Sequence, residues 1–345
     1  MIQHEKDLTA YSRDNFQCLK GYLAICVLIH HAYQFVGFLS NTFLGYPLYL
    51  LGHLAVTLFM FMSGFGLFSS YLSKGESYIK SFPRNRLLPY YLSYLVFAVI
   101  YFINNILRGV TIPFTLVITT LTYGGTVVGF GWYLQLTLLM YVLFFVLKLL
   151  FRNDKAFIAA LCVCVTVFIG IRFGMLTLKN NYEPAASFVI GAILAYFNAK
   201  RPVLFSKKAS LSVVISLVSF LVLTAFSTRF LYKFYYDMEV NRPLDFTYLL
   251  LMLVCDFALI CFVLSFTLLT NRYCRGVIAN PLSKFFGIFS LEMYALQGLV
   301  FGFLDDKYDN RTLYVAVAVS CVIILSIPLH GLTSLIKKAV VKKTN

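Results

Sequence analysis

The first long apolar segment of the chain carries Lys20 and, eleven residues later, His31. At ~100° per residue the two side chains fall within roughly 20° of one another, ~16 Å apart along one helix face. With Lys20 at one membrane surface, that rise carries the imidazole toward the middle of a hydrocarbon layer ~30 Å thick. An ionisable group at such depth lines a cavity, a pathway or a site, or is satisfied by a neighbouring helix. Imidazole chemistry suits removal of a proton from a hydroxyl, and a nearby cation suits an anionic group. Two acids pose the same question: Glu292, about two turns inside the segment 285–304, and Asp256 within 247–269. Each must be paired, neutral or facing water. Between Phe82 and Tyr90, just after Lys80, stand Arg84 and Arg86. Their planar forks of donors match phosphate oxygens, and an ordinary positive-inside anchor is the plainer reading of the same residues.

The elements that must position these groups are apolar helices. Hydrophobic residues make up 60% of the 345 and charged residues 12%, a composition that repeated membrane spans require. The expected fold class is an all-α polytopic membrane protein with about ten transmembrane helices, both termini cytoplasmic and no soluble domain. The candidate spans fall at about 19–39, 48–71, 87–107, 132–151, 156–176, 185–197, 210–226, 247–269, 285–304 and 312–330. The stretch 114–131 turns from apolar to glycine-rich, the pattern of a re-entrant or broken segment. The first eighteen residues are polar and mixed in charge, without the apolar core of a cleaved leader.

Most of the 29 Lys and Arg residues fall in segments that share a side with the N-terminus under this layout, which sets both termini inside. The net charge of +15 is then topology and attraction to anionic lipid, not a nucleic-acid footprint. Eight cysteines form no C-x-x-C pair and no zinc-like spacing with His, so neither a disulfide nor a metal is expected. The chain reads as one membrane domain over 1–345, with short cytoplasmic tails at about 1–18 and 331–345. The connection at about 227–246, aromatic and balanced in charge, either shapes a mouth for a polar, sugar-like ligand or forms an interfacial aromatic belt. No internal repeat of the kind common in secondary transporters is visible.

In order and spacing, these stretches resemble the acyltransferase family 3 group of bacterial integral-membrane acyltransferases. The likeness rests on Lys20-Gly21 with His31 eleven residues after the lysine, which selects His31 over His30. It continues through Phe-x-x-x-Ser-Gly-Phe at 59–65, the Arg-rich turn ending in Pro89, Trp132-Tyr133-Leu134, Phe188-Val-Ile-Gly191 and Ser-Leu-Glu-x-Tyr at 290–294. Nearly the whole chain is covered. The chain departs from the pattern in having Lys at 20, arginines two rather than three apart, Gln297 where a His is usual, and no fused esterase-like domain.

The resemblance implies transfer of an acyl group, most commonly acetyl, from cytoplasmic acyl-coenzyme A to a hydroxyl of an envelope or exported glycan, in a bacterial plasma membrane. It makes His31 the base, with Lys20 and Glu292 as the other catalytic groups. Arg84, Arg86 and Lys80 are expected at the coenzyme A phosphates, and Trp132, Tyr294, Gln297 and Asp256 at the acceptor. The donor substrate is acyl-coenzyme A, with no metal. The partners are the lipid bilayer, a carbohydrate acceptor in free or lipid-linked form, and other glycan-assembly proteins, with no nucleic acid. The competing class is a transporter or flippase for a lipid-linked or anionic polar substrate, in which His31, Asp256 and Glu292 relay a proton. A nearly inert scaffold for other glycan enzymes is a third.

Overall fold

The computed structural model describes residues 12–40, 42, 44–174, 182–200, 209–226, 246–274, 276–305 and 307–342, all helix or connection with no strand among them. Helix α1 (Arg13–Val36) opens at Ser12, whose hydroxyl accepts from the N–H of Asn15, and stops at Gly37 in the left-handed region. After α2 (Gly45–Lys74), helix α3 (Glu76–Phe82), a π-helical turn (Pro83–Leu87) and α4 (Leu88–Leu107) run on as one rod. The π turn widens the helical period where Arg84 and Arg86 stand, a local irregularity often associated with function.

A short helix α5 (Phe114–Leu121) is followed by an irregular loop and then α6 (Trp132–Leu150), α7 (Asp154–Gly174) and α8 (Ala185–Lys200). The remaining helices are α9 (Ala209–Phe226), α10 (Phe246–Tyr273), α11 (Pro281–Ile288), α12 (Ser290–Leu304) and α13 (Arg311–Lys342).

The span count corrects the expectation of about ten. Among the described residues six helices are long and apolar enough to cross a membrane, or seven if the pair α11 and α12, bent by 66°, is one span. Helix α8, with 16 residues, rises only ~24 Å against a core of ~30 Å. The apolar part of α9, Leu211–Thr224, is shorter still. Helix α1 has 24 residues but includes Arg13, Asp14, Lys20, His30 and His31, too polar for a spanning run on composition alone. The terminal residues 1–11 and 343–345, expected on the cytoplasmic side, lie outside the described residues. The connection expected at about 227–246 also lies outside them, up to Phe246. Helix α13 continues to Lys342, through most of the expected tail.

Burial separates the centre from the lipid-facing rim. The most apolar window of α2 is 78% buried, whereas those of α7 and α13 are 22% and 33% buried. The rim accordingly exposes Val163, Val167, Ile324 and Leu335. In lipid, helices associate through packing and interhelical hydrogen bonds, so small residues decide where backbones approach. A Cβ on Gly64 of α2 would run into the carbonyl of Phe188 on α8, and one on Gly191 of α8 into the carbonyl of Phe61 on α2. The same reciprocity joins α1 to α11, where Gly21 abuts the Ser283 carbonyl and Gly287 abuts that of Gln17. Both crossings are backbone against backbone.

Gly66, two residues beyond Gly64 and so on the opposite side of α2, has open space where a Cβ would go. Gly64→Ala or Gly191→Ala should therefore cost about 1–3 kcal/mol through overpacking, while Gly66→Ala should be neutral. Thermal unfolding in detergent checks this, and equal melting temperatures for all three variants would contradict the crossing.

Candidate active site

Three histidines line one cavity of about 430 Å³ between α1, α2, the loop before α6, and α12: His30, His31 and His53. His31 and Gln34 are one turn apart on α1, and the ring Nδ1 donates to the Gln34 Oε1 at 2.8 Å. This bond selects the Nδ1–H tautomer and leaves the Nε2 lone pair unused. Gln34 is exposed, and His31 is buried.

The His31 ring stacks on Phe130, with centroids 3.7 Å apart and planes 29° off parallel. Phe130 holds φ at 58°, a conformation that costs an aromatic residue on the order of 1–3 kcal/mol. The hydroxyl of Tyr294 donates to the Phe130 carbonyl at 2.8 Å, fixing that backbone from α12. Tyr294 and Trp132 both line the cavity.

The loop 122–131 is irregular backbone inside an apolar bundle, tolerable because it lines a cavity and because side chains satisfy it. Thr120 and Thr126 accept from the N–H groups of Val127 and Val128, and Gln135 ties the loop to α5. Its Nε2 donates to the carbonyls of Thr119 at 2.8 Å and Gly125 at 3.0 Å and lies 3.1 Å from the Tyr94 hydroxyl. That hydroxyl donates in turn to Thr126 at 2.7 Å.

The other two histidines were not singled out from the sequence. His30 donates from Nδ1 to the Leu48 carbonyl at 3.1 Å, and its ring occupies space that any Cβ at Gly52 would take. His53 lies 2.8 Å through Nε2 from the Oδ1 of Asp256, which also accepts from Thr57 at 2.8 Å. The depth argument that drew attention to Asp256 applies equally to His53, and one turn along α2 from it stands Thr57.

The other expected site residues are placed as follows. Asp256 sits behind His53 and is 1% exposed. Glu292 is buried against α13, where its Oε1 lies 3.1 Å from His330 Nδ1 and accepts from Thr333 at 3.1 Å. Gln297 is fully buried, with neither amide atom hydrogen-bonded among the described residues. Asp256, Glu292 and Gln297 do not line the His31 cavity.

At the other end of α1, Lys20 is half-buried and lies within the electrostatic reach of Arg86 and Arg13. Arg86 is exposed over the Tyr78 ring, 5.9 Å from its centroid. Arg84 donates from Nη2 to the Val341 carbonyl at 2.7 Å, which ties the π turn to the end of α13. Lys80 is exposed. No group of His, Cys, Asp and Glu able to hold a metal occurs among the described residues.

A family model described as an acyltransferase domain, acyltransferase family 3, matches residues 13–331. The chain belongs to this family. No curated protein and no solved structure matches it.

Gln135→Leu removes the side-chain donor from the Gly125 carbonyl in the loop and from the Thr119 carbonyl in α5. The expected cost is about 1–3 kcal/mol, with new protease sensitivity at 122–131. Limited proteolysis in detergent reads this directly, and an unchanged digestion pattern would show that Gln135 does not hold the loop.

Proposed function

We propose that this member of the family is a membrane O-acyltransferase, moving an acyl group, most commonly acetyl, from acyl-coenzyme A to a hydroxyl of a carbohydrate. The observation that carries the reading is the His31 ring in a cavity wall with its Nδ1–H held by Gln34. A neutral imidazole fixed in that tautomer presents Nε2 as a general base.

In the reaction, Nε2 takes the proton of the acceptor hydroxyl while the oxygen attacks the thioester carbonyl. The C–S bond then breaks, and the departing thiolate takes the proton back from the imidazolium. An ester and a free thiol result, and His31 is restored. A cavity of about 430 Å³ is of the size that small-molecule sites use, and its Trp132, Tyr49 and Tyr294 walls suit the faces of a sugar ring.

The donor's phosphates belong at the opposite end of α1. Lys20, Lys80 and Arg86 have no carboxylate partner among the described residues, and they stand on or beside the π turn and α1. This cluster fits phosphate by charge and, for the guanidinium, by geometry. The ~16 Å from Lys20 to His31 along α1 is the length that the donor's arm has to reach. Cytoplasmic supply of the donor, an envelope glycan as acceptor and a bacterial plasma membrane complete the reading. A proton relay through His31, Asp256 and Glu292, which a transporter would use, receives less support, because only His31 of the three lines the cavity.

With acetyl-coenzyme A and mixed envelope glycans, His31→Ala should lower thiol release by about 10²–10⁴-fold, the usual worth of a general base. His30→Ala should retain activity within about tenfold. Arg86→Ala should raise the KM for the donor with little change in kcat. Thiol release measured in proteoliposomes checks all three, and full activity in His31→Ala would remove His31 as the base.

A further inference from the structure

Two of the three cavity histidines have partners that differ in charge. His31 is held by an amide oxygen and an aromatic ring, with no carboxylate bonded to it among the described residues. His53 is held by the carboxylate of Asp256 at 2.8 Å, with His53 6% and Asp256 1% exposed. Pairs of titratable groups given opposite surroundings in one site divide acid from base work between them.

The groups facing His53 from each packed element are few. Thr57 shares its helix and donates to the same Asp256 oxygen. Asp256 comes from α10. Glu183, just before α8, is buried within electrostatic reach of both His53 and Asp256, and His30 approaches from α1. The second oxygen of Asp256 and the Oε2 of Glu183 are buried without a hydrogen-bond partner among the described residues. A buried carboxylate demands compensation, and the His53 ring is the group at hydrogen-bond distance from it that a proton would make cationic. With Nε2–H committed to Asp256, Nδ1 is the ring nitrogen left for a further partner, and His53 lines the cavity.

We infer that His53, backed by Asp256, is the electrophilic group of the site, its Nδ1–H stabilising the oxyanion that develops on the thioester carbonyl while His31 acts as base. The inference rests on the acyltransferase reading above. As the acceptor oxygen bonds to the carbonyl carbon, the carbonyl electron pair moves onto oxygen and is met by the His53 N–H. When that pair returns, the C–S bond breaks and the thiolate leaves with the proton held by His31. His53 keeps its own proton throughout. Donors aimed at such an oxygen are typically worth about 10²–10³ in rate.

The test combines a spectrum and a rate profile on the full-length protein in liposomes. Nitrogen-15 histidine spectra at pH 7.5 should contain an imidazolium pattern that disappears in His53→Leu and becomes neutral in Asp256→Asn. With acetyl-coenzyme A and envelope glycans, His53→Leu should lower kcat about 10²-fold, while the KM for the donor stays within about threefold. His53→Gln, which retains a neutral donor, should recover part of that loss. Asp256→Asn should move the alkaline limb of kcat down by about one pH unit or more, which a merely structural role would not do. If His53→Leu fails to fold, Asp256→Asn and the spectra carry the test. A neutral His53 in the wild type, or a wild-type pH profile in Asp256→Asn, overturns the assignment. Absence of any acyl transfer by the wild type removes the acyltransferase reading, and His53's role with it, whatever the spectra show.

Discussion

Helices in lipid have no hydrophobic drive to associate with one another, so the bundle depends on places where backbones meet directly. Two such places set everything near the cavity. The Gly64–Gly191 crossing sets α2 against α8, and the Gly21–Gly287 crossing sets α1 against α11. Helix α1 carries Lys20 and His31, α2 carries His53, and α12 follows directly after α11 with Tyr294. A methyl group at any of these glycines pushes a helix away from its neighbour and opens the wall that the histidines share. The Gly of the Lys20-Gly21 pair is thus a packing residue, next to the lysine proposed to meet the donor's phosphates.

Given that frame, each polar group at depth needs a partner, and the kind of partner decides what it does. Gln34 fixes a tautomer on His31, Asp256 is bonded to His53, and Gln135 bonds the carbonyls of Thr119 in α5 and Gly125 in the loop. Glu292 is tied to His330 and Thr333 on α13, which makes it a clamp between α12 and α13 in this structure. Phe130 links the two concerns. Its backbone is held in the left-handed region by Tyr294 while its ring supports His31. That strained backbone is what keeps the Phe130 ring stacked on the His31 imidazole.

Much of this was legible from residue spacing. Lys20 and His31 share a face because eleven residues nearly close three turns, and the family that their spacing suggested matches 13–331. Gly64 lies within the Phe-x-x-x-Ser-Gly-Phe stretch that carries the family likeness, and there α2 meets the Phe188 carbonyl. Gln34 was within reach of the same reasoning, three residues beyond His31. The His53–Asp256 pair was not, because its members are 203 residues apart and nothing local joins them. The number of spans was overcounted for a related reason. Apolar content reveals a helix, but not that α8 ends after 16 residues or that the chain turns by 66° between Ile288 and Ser290.

The central claim is that an acyl group leaves a thioester and arrives on a hydroxyl through this cavity. It is tested most directly by following the group itself. Purified protein in liposomes, given acetyl-labelled coenzyme A and envelope glycans, should place label on the glycan in an ester linkage that mild base releases. The label should stay with the donor when His31 is replaced by Gln. Label that never reaches the glycan, or reaches it equally well without the His31 imidazole, would contradict the account.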